Sequence, residues 1–492
     1  MRGLLMNHFC LRLIPDKKVH RQILLIEQVA KARYAITLDE IADTLNTSLR
    51  TLKRDVQEIE SMEEKLIIRH SASMLEIDDN ELVDFVLAEL AEKSPLFAIT
   101  KSIFEGRYLN IDEWADELFI STSTLYRYLN HFKEILADFH LKLQLSPVAI
   151  EGREVDIRYF FHYFFYSTDD VSQNFRPDKR VFNLFEESFQ YIMEHSELEG
   201  HVSHRSVLYW IMVITKRLEL RQYIQISDDV QLKQQELPMT YKSIEKLAVE
   251  VLGLVLSSDA DVNRNEMLFL DFILLDNYVY TEQFSSGIVN MENVTLIENL
   301  FAMVREYFVR NGLEEPDEAS LSIFVFFLRN IILLSRLSPL FQKNFFEVNA
   351  SIKKNHGNIF EVWYDILREN AVPELQHIAH IDDVSVNLTM FTLYVNNKNN
   401  GKKKHILFSF DGKKAYLNYL QIFAANIVGS NTKMTFLSNQ RVTNDYIKEF
   451  DVDILVKNYK ERYEHFDCVT YTCSRQPNAT DWDKVSQLVF DI

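Results

Sequence analysis

The sequence is 492 residues long and carries 53 basic against 72 acidic side chains, a formal net charge of −19. At roughly 100 to 200 residues per domain, this length predicts several domains, each with its own core. With 47% hydrophobic residues and only 11 glycines and 9 prolines, the composition excludes a disordered or collagenous chain. No G-x-G-x-x-G and no G-x-x-x-x-G-K-[ST] segment occurs, which argues against a nucleotide-driven enzyme.

The charge is unevenly distributed along the chain. Residues 1–70 contain 12 basic and 10 acidic side chains, a net of +2, so the remaining 422 residues carry −21. A polyanion such as DNA would therefore be met by the N-terminal end. The three cysteines, Cys10, Cys468 and Cys473, form no C-x-x-C pair and indicate a reducing compartment.

The sequence predicts a cytoplasmic protein without a membrane segment. Residues 1–14 are interrupted by polar side chains, and no small-residue cleavage site follows them. The most apolar later stretch, Leu321–Leu334, contains Arg329 and Asn330 and is shorter than the roughly 18 to 20 residues of a membrane span.

An internal repeat with a shift of 73 positions lies near the N-terminus. Residues 39–54 align with residues 112–127, and nine of the sixteen aligned positions are identical. In each copy a short acidic helix is expected to open, at Thr37 or Asp39 and at Asp112. A polar turn follows, ending in Ser48 or Ser121 as the N-cap of a second helix.

The second helix of each copy has one apolar face. Leu52, Val56 and Ile59 in the first copy, and Leu125, Leu129 and Phe132 in the second, are predicted to be buried. Each helix is followed by two short apolar segments around a turn, at 66–69 and 74–77 and again at 141–145 and 148–150. These segments predict hairpin wings, and the whole pattern predicts two winged helix-turn-helix units in tandem.

A single helix-turn-helix pattern is also compatible with a mere packing unit, but two copies with basic or hydroxyl residues on the outer face favour DNA binding. In the second copy the electrostatic potential is unfavourable for DNA binding, because residues 71–150 hold 6 basic and 14 acidic side chains. The predicted DNA-binding residues lie at the start and on the outer face of the two recognition helices. They are Ser48, Arg50, Thr51, Lys53, Arg54, Ser121, Ser123, Thr124, Tyr126, Arg127 and Lys133.

Residues 37–54, 111–132 and 150–158 resemble the Mga/AtxA-like regulators of Gram-positive bacteria. Residues 150–158 are similar to the I-x-G-x-E-x-x-I-R segment that follows the second wing in such regulators. The resemblance implies a multidomain, mainly α-helical chain of two winged helix-turn-helix domains, two helical phosphotransferase-regulation domains (PRD-like) and a C-terminal α/β enzyme IIB-like domain. The corresponding boundaries are 1–78, 79–152, 153–285, 286–396 and 402–492.

The middle of the chain, to about residue 396, reads as successive helices, two of which close in Arg217-Leu218 and Arg336-Leu337. They are similar to the helix near the first histidine of PRD domains. Seven residues before each arginine, however, stand Trp210 and Arg329 instead of histidine.

Four other histidines are therefore candidates for phosphorylation, in pairs three residues apart that would share a helix face if helical. They are His201, His204, His377 and His380. The alternative is that they are solvent-exposed or capping residues. No metal site is predicted, since no acidic or cysteine partner lies at ligand spacing beside His201 and His204.

The polar run Asn396–Lys404 is the most linker-like segment, and strand and helix patterns alternate after it. This order predicts a parallel sheet with helices on its faces. The predicted strands are His405–Phe410, Lys433–Leu437, Asp453–Val456 and Val469–Thr472, and the predicted helices are Lys413–Val428, Thr443–Phe450 and Asp481–Phe490.

An active enzyme IIB domain carries a phosphoacceptor cysteine just after its first strand, near a helix N-terminus. Here Ser409-Phe410-Asp411-Gly412 stands at that place. Cys468 and Cys473 flank a later strand and are predicted to be core residues. Dimerisation or sensing is therefore predicted for this domain instead of phosphoryl transfer.

The leading hypothesis is a regulator that binds double-stranded DNA, is not an enzyme and needs no cofactor. A homodimer is expected, because tandem recognition helices with little net positive charge would gain affinity by pairing. The resemblance implies a link from sugar phosphotransferase status, through a phosphocarrier protein, to virulence or surface-protein genes. Two alternatives remain: a PRD-containing RNA-binding antiterminator, disfavoured by the helical N-terminal pattern, and a phosphocarrier, which would need an acceptor cysteine.

Overall fold

The computed structural model describes most of the chain, which is mainly helical. The described residues are 6–32, 35–71, 73–77, 80–169, 177, 179–195, 201–227, 260–279, 294–313, 315–344, 346–369, 373–399, 404–428, 432–440, 442–459, 465–474, 476–477 and 479–490. Two compact units are present. The first is Met1–Asn349 with Ile366–Val384, and the second is Ala350–Asp365 with Ser385–Ile492.

The first repeat folds as a winged helix-turn-helix preceded by two helices. Its elements are α1 (His8–Arg12), α2 (Lys17–Lys31), β1 (Ile36–Thr37), α3 (Leu38–Thr44), α4 (Leu49–Met62), β2 (Ile68–Ser71) and β3 (Met74–Glu76). Strand β3 lies between β1 and β2 and is antiparallel to both, with Ile36 opposite Leu75 and Ile68 opposite Glu76. The predicted wing is therefore confirmed.

The second repeat has the same order of elements. These are α5 (Asn80–Glu92), α6 (Pro95–Phe104), α7 (Ile111–Glu117), α8 (Thr122–Ala137), β4 (Lys142–Leu145) and β5 (Val148–Glu151). Strands β4 and β5 form the second predicted wing, with Leu143 opposite Ile150. The backbone N–H of Val148 also donates to the carbonyl of Leu109 at 2.8 Å, so the segment before α7 occupies the position that β1 has in the first repeat.

The apolar faces of the two second helices, α4 and α8, are buried as predicted. Leu52, Val56 and Ile59, and likewise Leu125, Leu129 and Phe132, all have no exposed surface. Each such side chain contributes about 1.5 to 3 kcal/mol to folding when it leaves water. The six residues belong to one continuous core that runs through the first compact unit.

Helices dominate the middle of the chain, as predicted. They are α9 (Glu154–Thr168), α10 (Lys179–His195), α11 (His204–Glu219), α12 (Ala260–Asp276), α13 (Val294–Arg310), α14 (Glu318–Leu337), α15 (Phe346–Asn355), α16 (Gly357–Glu369) and α17 (Ile381–Asn399). Two short strands, β6 (His201–Val202) and β7 (Tyr278–Val279), pair antiparallel. Because α17 continues to Asn399, the prediction of a linker was wrong for residues 396–399, and residues 400–403 lie outside the described part.

Residues 150–158, called the joint below, connect the second wing to these helices through buried ion pairs. The guanidinium of Arg158 donates to both carboxylate oxygens of Glu266 on α12, at 2.7 and 2.9 Å, and to Glu154 at 3.0 Å. Glu154 also accepts two hydrogen bonds from Arg217 near the end of α11, at 2.7 and 2.8 Å. One buried network therefore fixes α9 to α11 and α12.

The other side of the joint reaches the end of α14. Arg153 donates to both carboxylate oxygens of Asp156, at 2.8 and 3.0 Å, and to the carbonyl of Leu337 at 3.3 Å. Ser338 in turn donates to Asp156 at 2.5 Å. Both helices that close in Arg-Leu therefore end against the short segment that follows the second wing.

The position where a histidine was expected in α11 holds Trp210, which is fully buried. The imidazole of His162 on α9 stacks on the Trp210 ring, with 4.1 Å between centroids and 8° between planes. Its Nε2 lies 3.1 Å from the Ser206 hydroxyl and 3.2 Å from the Ser206 carbonyl. Burial lowers the pKa of His162 to about 3, and the contact with Ser206 only partly opposes this shift.

This low pKa predicts that the first compact unit loses stability in mild acid. The unfolded chain protonates His162 near pH 6.5, whereas the folded chain protonates it only near pH 3, so the stabilising contribution is complete above pH 6.5 and falls below it. Between pH 6.5 and 5.5 we expect a loss of about 1 kcal/mol. Urea unfolding of the wild type and of His162→Gln at both pH values measures it.

The loss should be smaller in His162→Gln, since that variant lacks the titrating group. His140→Asn, at an exposed histidine with positive φ, is the matched control and should retain the full loss. An equal acid-induced loss in His162→Gln and in the wild type would contradict the prediction.

Helix α14 is 20 residues long and apolar enough to cross a membrane, but 89% of its apolar window is buried inside the structure. The expectation that this apolar stretch is too short to span a membrane was therefore wrong, since the helix that contains it has 20 residues. Arg329 and Asn330, which interrupt it, are themselves 4% and 2% exposed, and the Arg329 guanidinium donates to the Asn330 side chain at 3.0 Å. This burial is typical of the central helix of a folded core.

The C-terminal part contains a parallel four-stranded sheet, as predicted. Its elements are β8 (His405–Phe410), α18 (Lys414–Val428), β9 (Lys433–Ser438), α19 (Asn444–Glu449), β10 (Ile454–Lys457), β11 (Val469–Thr472) and α20 (Ala479–Phe490). The strand order is β11-β10-β8-β9, and every neighbouring pair is parallel. All six residues of β8 are buried, as a strand covered on both faces requires.

The two faces of this sheet have separate cores. Ile406, Phe408 and Phe410 pack with residues of α18 and α20. Leu407 and Leu455 pack with Ile447 of α19. Because successive side chains of a strand point to opposite faces, this alternation builds three layers with the sheet in the middle.

Candidate nucleic-acid interface

The two recognition helices, α4 and α8, begin with the same cap. Ser48 accepts a hydrogen bond from the backbone N–H of Thr51 at 3.2 Å, and Ser121 accepts one from Thr124 at 3.2 Å. In each copy the serine and threonine hydroxyls are also 2.9 Å apart. The prediction that both serines are N-caps is confirmed.

The first helix of each unit is also capped in the same way. The carboxylate of Glu40 accepts a hydrogen bond from the backbone N–H of Thr37 at 2.9 Å, and that of Glu113 accepts one from Asn110 at 2.7 Å. The second unit therefore opens at Asn110, which precedes the Asp112 that the sequence indicated. These contacts leave the start of α3 and α7 rigid and well satisfied.

The turns between the helices match residue by residue. The backbone N–H of Thr47 donates to the carbonyl of Ala42, and that of Ile120 donates to Ala115, both at 3.0 Å. Asn46 and Phe119 occupy equivalent places with φ of 47° and 52°. Asparagine tolerates this left-handed conformation, whereas a bulky aromatic residue there is strained.

The strained residue gives a stability prediction. Phe119 is 96% exposed, so its ring contributes little burial to offset the strained backbone. We expect Phe119→Asn to raise the free energy of unfolding by about 1 kcal/mol. Urea unfolding of both proteins measures the change.

The equivalent position supplies the reciprocal control. Asn46→Phe should lower the free energy of unfolding by a similar amount, since it places an aromatic residue at φ 47°. A destabilised Phe119→Asn variant would mean that the Phe119 ring makes a stabilising contact, and the prediction would fail.

The outer face of α4 presents three basic side chains. Arg50, Lys53 and Arg54 are exposed, and none of them forms an ion pair with any residue that the structure describes. Ser48 is exposed at the start of the same helix and Thr51 is half-buried beside it. All five predicted residues of the first copy therefore lie together on one helix.

The outer face of α8 is less free. Tyr126 is 46% exposed, and the exposed Arg127 guanidinium lies 5.2 Å from the centroid of the Tyr128 ring. The half-buried Lys133 donates to the Asn130 side chain at 3.3 Å. The structure also places the other three predicted residues at the start of this helix, where Ser121, Ser123 and Thr124 are joined by hydroxyl contacts just before Tyr126.

A basic cleft that the sequence analysis missed adjoins α8. It has a volume of about 740 Å³, and Lys17, Lys18 and His20 of α2 line it together with Arg127 and Tyr128. Lys18 pairs with Glu58 at 2.6 Å, whereas Lys17 is exposed and forms no ion pair within the described part of the chain. The excess of basic residues in residues 1–70 pointed to such a surface, but the lysines precede the repeat.

The position of α4 depends on contacts that the sequence did not indicate. Asp55, which has no exposed surface, accepts two hydrogen bonds from Arg21 of α2, at 2.6 and 3.0 Å. The carboxylate of Glu58 accepts one from Gln22 at 2.7 Å. These pairs hold the inner face of the recognition helix against α2, while the outer face stays exposed.

The first wing carries little free positive charge. Arg69 donates to both carboxylate oxygens of Glu60, at 2.6 and 2.7 Å, and His70 contacts Glu76. Lys142 on the second wing is exposed. The basic side chains of the first wing are therefore paired, whereas Arg50, Lys53 and Arg54 of the recognition helix form no ion pair with described residues.

The histidine pairs are not arranged as expected. His201 lies in strand β6 and His204 begins helix α11, so they do not share a helix face. His377 ends a short 3-10 helix (Pro373–His377), and His380 precedes α17 as its N-cap, so the second pair is not on one helix either. In the first pair Ser203, the N-cap of α11, lies between the two histidines, and in the second pair His380 itself precedes the helix.

The two described histidine side chains differ in access. The His204 ring is 53% exposed and lies 3.5 Å from the carboxylate of Glu186. The Nε2 atom of His380 is buried and makes no hydrogen bond, and burial lowers its pKa. Among the residues that the structure describes, no group of three or more metal-ligating side chains comes together.

The cysteines of the C-terminal sheet are not activated nucleophiles. Burial raises the pKa of Cys473 to about 12, and its thiol donates to the carbonyl of Lys457 at 3.2 Å. Burial also raises the pKa of the half-buried Cys468. Cys473 is a core residue as predicted, and the loop after β8 carries Asp411 and Gly412, held by the side chains of Asn458 and Asn439.

Two family models match the N-terminal part of the chain. Residues 16–73 match the M protein trans-acting positive regulator (MGA) HTH domain, and residues 79–165 match the Mga helix-turn-helix domain. These two ranges contain both tandem units, with α2 included in the first and most of α9 in the second.

The chain is similar to regulators of two bacterial species. A trans-acting regulator of Streptococcus pneumoniae serotype 4 is 31% identical over 154 residues, which are 30% of this chain and 31% of the relative. The capsule synthesis positive regulator AcpA of Bacillus anthracis is 24% identical over 219 residues, 43% of this chain and 45% of the relative. The anthrax toxin expression trans-acting positive regulator of the same organism is 18% identical over 502 residues, 96% of this chain and 98% of the relative.

The chain thus spans under a third of the pneumococcal regulator and under half of AcpA in these alignments. The two matched ranges coincide with the two helix-turn-helix units, in which equivalent residues form the same caps and turns. The two N-terminal helix-turn-helix units are thus Mga-type helix-turn-helix domains, and the relatives of the chain are named as trans-acting or positive regulators.

Proposed function

We propose that the chain is a cytoplasmic transcriptional regulator that binds double-stranded DNA through both helix-turn-helix units. The observation that carries this proposal is the outer face of α4, where Arg50, Lys53 and Arg54 are exposed and form no ion pair with described residues. In helix-turn-helix proteins the second helix lies in the major groove, and basic side chains at its start contact phosphates or guanine edges.

The roles of the remaining residues follow from this placement. Ser48 and Thr51 fix the start of α4 and reach the DNA backbone. In the second unit Ser121, Ser123 and Thr124 do the same for α8, and Tyr126, Arg127 and Lys133 supply the side chains that reach phosphates or bases. The contacts of α8 are more local, because residues 71–150 hold 6 basic and 14 acidic side chains.

The regulatory part of the proposal rests on the relatives and on the domain order. We propose a homodimer with domain boundaries 1–78, 79–152, 153–285, 286–396 and 402–492, with PRD-like helical domains and an enzyme IIB-like domain. The relatives are named as positive regulators of capsule synthesis and of toxin expression, which supports virulence or surface genes as targets. A phosphocarrier protein of the phosphotransferase system is the proposed partner.

Among the four candidate histidines, His204 is the proposed phosphorylation site. Its ring is 53% exposed at the start of α11, whereas the Nε2 atom of His380 is buried. A phosphoryl group there would gain from the helix N-terminus but would meet the Glu186 carboxylate, and this repulsion would displace α10 from α11. Mass spectrometry after incubation with the general phosphotransferase proteins tests this site.

The same experiment tests the alternatives. A label on a C-terminal side chain would favour a phosphocarrier, and a label confined to histidines would favour regulation. An RNA-binding antiterminator would bind RNA more tightly than duplex DNA in a competition assay at one salt concentration.

The first experiment is selection of fragmented genomic DNA of the host at two salt concentrations. Wild type should enrich particular fragments in a salt-sensitive manner, and Arg54→Ala and Arg127→Ala should reduce that enrichment. Loss in only one variant would assign binding to one recognition helix. No enrichment by the wild type under either condition would contradict the proposed function.

With a selected fragment, the salt dependence of Arg54→Ala can be predicted. If Arg54 contacts one phosphate, removing it should reduce the magnitude of the negative slope of log K against log salt by about 0.9. Fluorescence anisotropy at four or more salt concentrations measures the slope. Arg264→Ala, at an exposed arginine on α12, is the control and should leave the slope unchanged; an unchanged slope in Arg54→Ala would remove Arg54 from the phosphate contacts.

A further inference from the structure

A polar cavity of about 380 Å³ lies beside the joint, within the first compact unit. It is lined by Arg153, Gln225, Ile226, Ser227, Arg336 and Leu337. Two of these side chains are arginines and none is acidic; because Arg153 is paired with Asp156, the positive charge that has no ion-pair partner in the described ranges is that of Arg336. The cavity volume falls within the range typical of small-molecule sites, about 300 to 1,000 Å³.

Arg336 is the first observation that points to a ligand. It lies in the last turn of α14, and its Nε atom is buried and donates no hydrogen bond. Its guanidinium forms no ion pair with a residue in the described ranges. Buried N–H groups are almost always paired in native proteins, so this donor fits an acceptor that enters the cavity.

Arg153 supplies further donors on the same wall. Its guanidinium has five N–H groups, and three of them donate to Asp156 and to the carbonyl of Leu337. Two N–H groups remain, and the side chain is 57% exposed. The bonds to Asp156 orient the guanidinium, so these remaining donors are held in place.

The loop that carries Gln225 and Ser227 is anchored at two residues just before Gln225. The carbonyl of Gln222 accepts a hydrogen bond from Arg158 at 2.9 Å, and the backbone N–H of Ile224 donates to Glu266 at 2.8 Å. Both anchors belong to the buried network of the joint. The start of this loop is therefore held in place, which lowers the entropic cost of ordering Gln225 when a ligand binds.

We propose that this cavity binds the oxyanion group of a small metabolite, either a phosphoryl group or a carboxylate. Guanidinium groups donate parallel hydrogen bonds to such oxygens, and Arg336 and Arg153 approach the cavity as two such donors. Gln225 and Ser227 offer an amide and a hydroxyl for the rest of the ligand. The site adjoins the segment that follows the second wing, so a bound ligand would contact residues at the base of the DNA-binding part.

Isothermal titration calorimetry of the full chain with inorganic phosphate, and separately with acetate, tests the proposal at constant ionic strength. We expect saturable binding of at least one anion, and Arg336→Gln should weaken it at least tenfold. Gln225→Glu places a carboxylate on the exposed part of the wall and should weaken it to the same extent without disturbing the core. Arg264→Gln, at an exposed arginine outside the cavity, should change the affinity less than twofold.

The two anions distinguish the sources of the oxyanion: tighter phosphate binding assigns a phosphoryl group, and tighter acetate binding assigns a carboxylate. Absence of saturable binding by either anion would overturn the proposal, as would equal weakening in Arg264→Gln. If Arg336→Gln does not fold, unchanged binding in Gln225→Glu would overturn it equally well. The assay contains no DNA, so its failure and the failure of the proposed function are distinguishable.

Discussion

An Arg158→Met variant is expected to lose about 3 to 5 kcal/mol of the free energy of unfolding of the first compact unit. Arg158 has no exposed surface, and it donates to Glu266, to Glu154 and to the carbonyl of Gln222. Methionine fills a similar volume but leaves the buried carboxylate of Glu266 without its counter-ion. Glu154 keeps Arg217, at 2.7 and 2.8 Å, so the main cost falls on Glu266.

Urea unfolding followed by intrinsic fluorescence measures this loss, and two further variants interpret it. Arg180→Met removes an arginine from a surface pair with Glu219, whose side chains are 73% and 44% exposed, and should change stability by less than about 1 kcal/mol. A double variant, Arg158→Met with Glu266→Leu, should recover part of the loss because no unpaired carboxylate remains. An Arg158→Met variant as stable as Arg180→Met would show that the network contributes no more than a surface pair.

This network was not predictable from the sequence for a physical reason. The I-x-G-x-E-x-x-I-R segment was apparent, but its meaning depends on partners far away along the chain. Glu154 and Arg217 are 63 residues apart, and Arg158 and Glu266 are 108 residues apart. No local periodicity or capping pattern encodes such pairs, since each partner taken alone resembles a solvated charge.

Local signals, in contrast, predicted the helix-turn-helix units well. Caps and turns involve residues within about one turn of a helix, so Ser48 and Ser121 could be assigned from their neighbours alone. The wings followed from short apolar segments around a turn. The alternating order after residue 404 likewise predicted the parallel sheet, because connections between parallel strands usually contain a helix.

The sequence-based predictions that were wrong concern the positions of helix ends. His201 and His204 have helical spacing, but Ser203 lies between them as the N-cap of α11, and only His204 is helical. The polar run from Asn396 resembled a linker, yet helix α17 continues through its first four residues. Composition alone could not place these helix ends.

The placement of α4 determines what the DNA-binding proposal predicts most strongly. Its inner face is held by Asp55 and Glu58, which bind Arg21 and Gln22 of α2, so the outer face stays exposed, and Arg54 attracts the Glu58 carboxylate without forming an ion pair with it. The second recognition helix lies in a more acidic part of the chain. We therefore expect the first helix to provide most of the electrostatic affinity.

Replacing Arg50, Lys53 and Arg54 together by alanine should lower the affinity for a selected DNA fragment about 100-fold near 0.15 M salt. If each side chain neutralises one phosphate, the magnitude of the negative slope of log K against log salt should decrease by about 2.7, at about 0.9 per contact. The difference from wild type should shrink as salt rises and approach zero near 1 M. Fluorescence anisotropy over that salt range measures both quantities.

Two controls separate this loss from unfolding and from a general loss of charge. The three side chains are exposed and form no ion pair with described residues, so the circular dichroism spectrum and the urea midpoint of the triple variant should match those of the wild type. Arg127→Ala removes one charge from α8 and should reduce the magnitude of this slope by at most about 0.9. A triple variant that is folded, binds as tightly as the wild type and keeps its salt slope would show that α4 does not face DNA. The tandem units would then serve packing, and binding would have to be sought in the basic cleft beside α8.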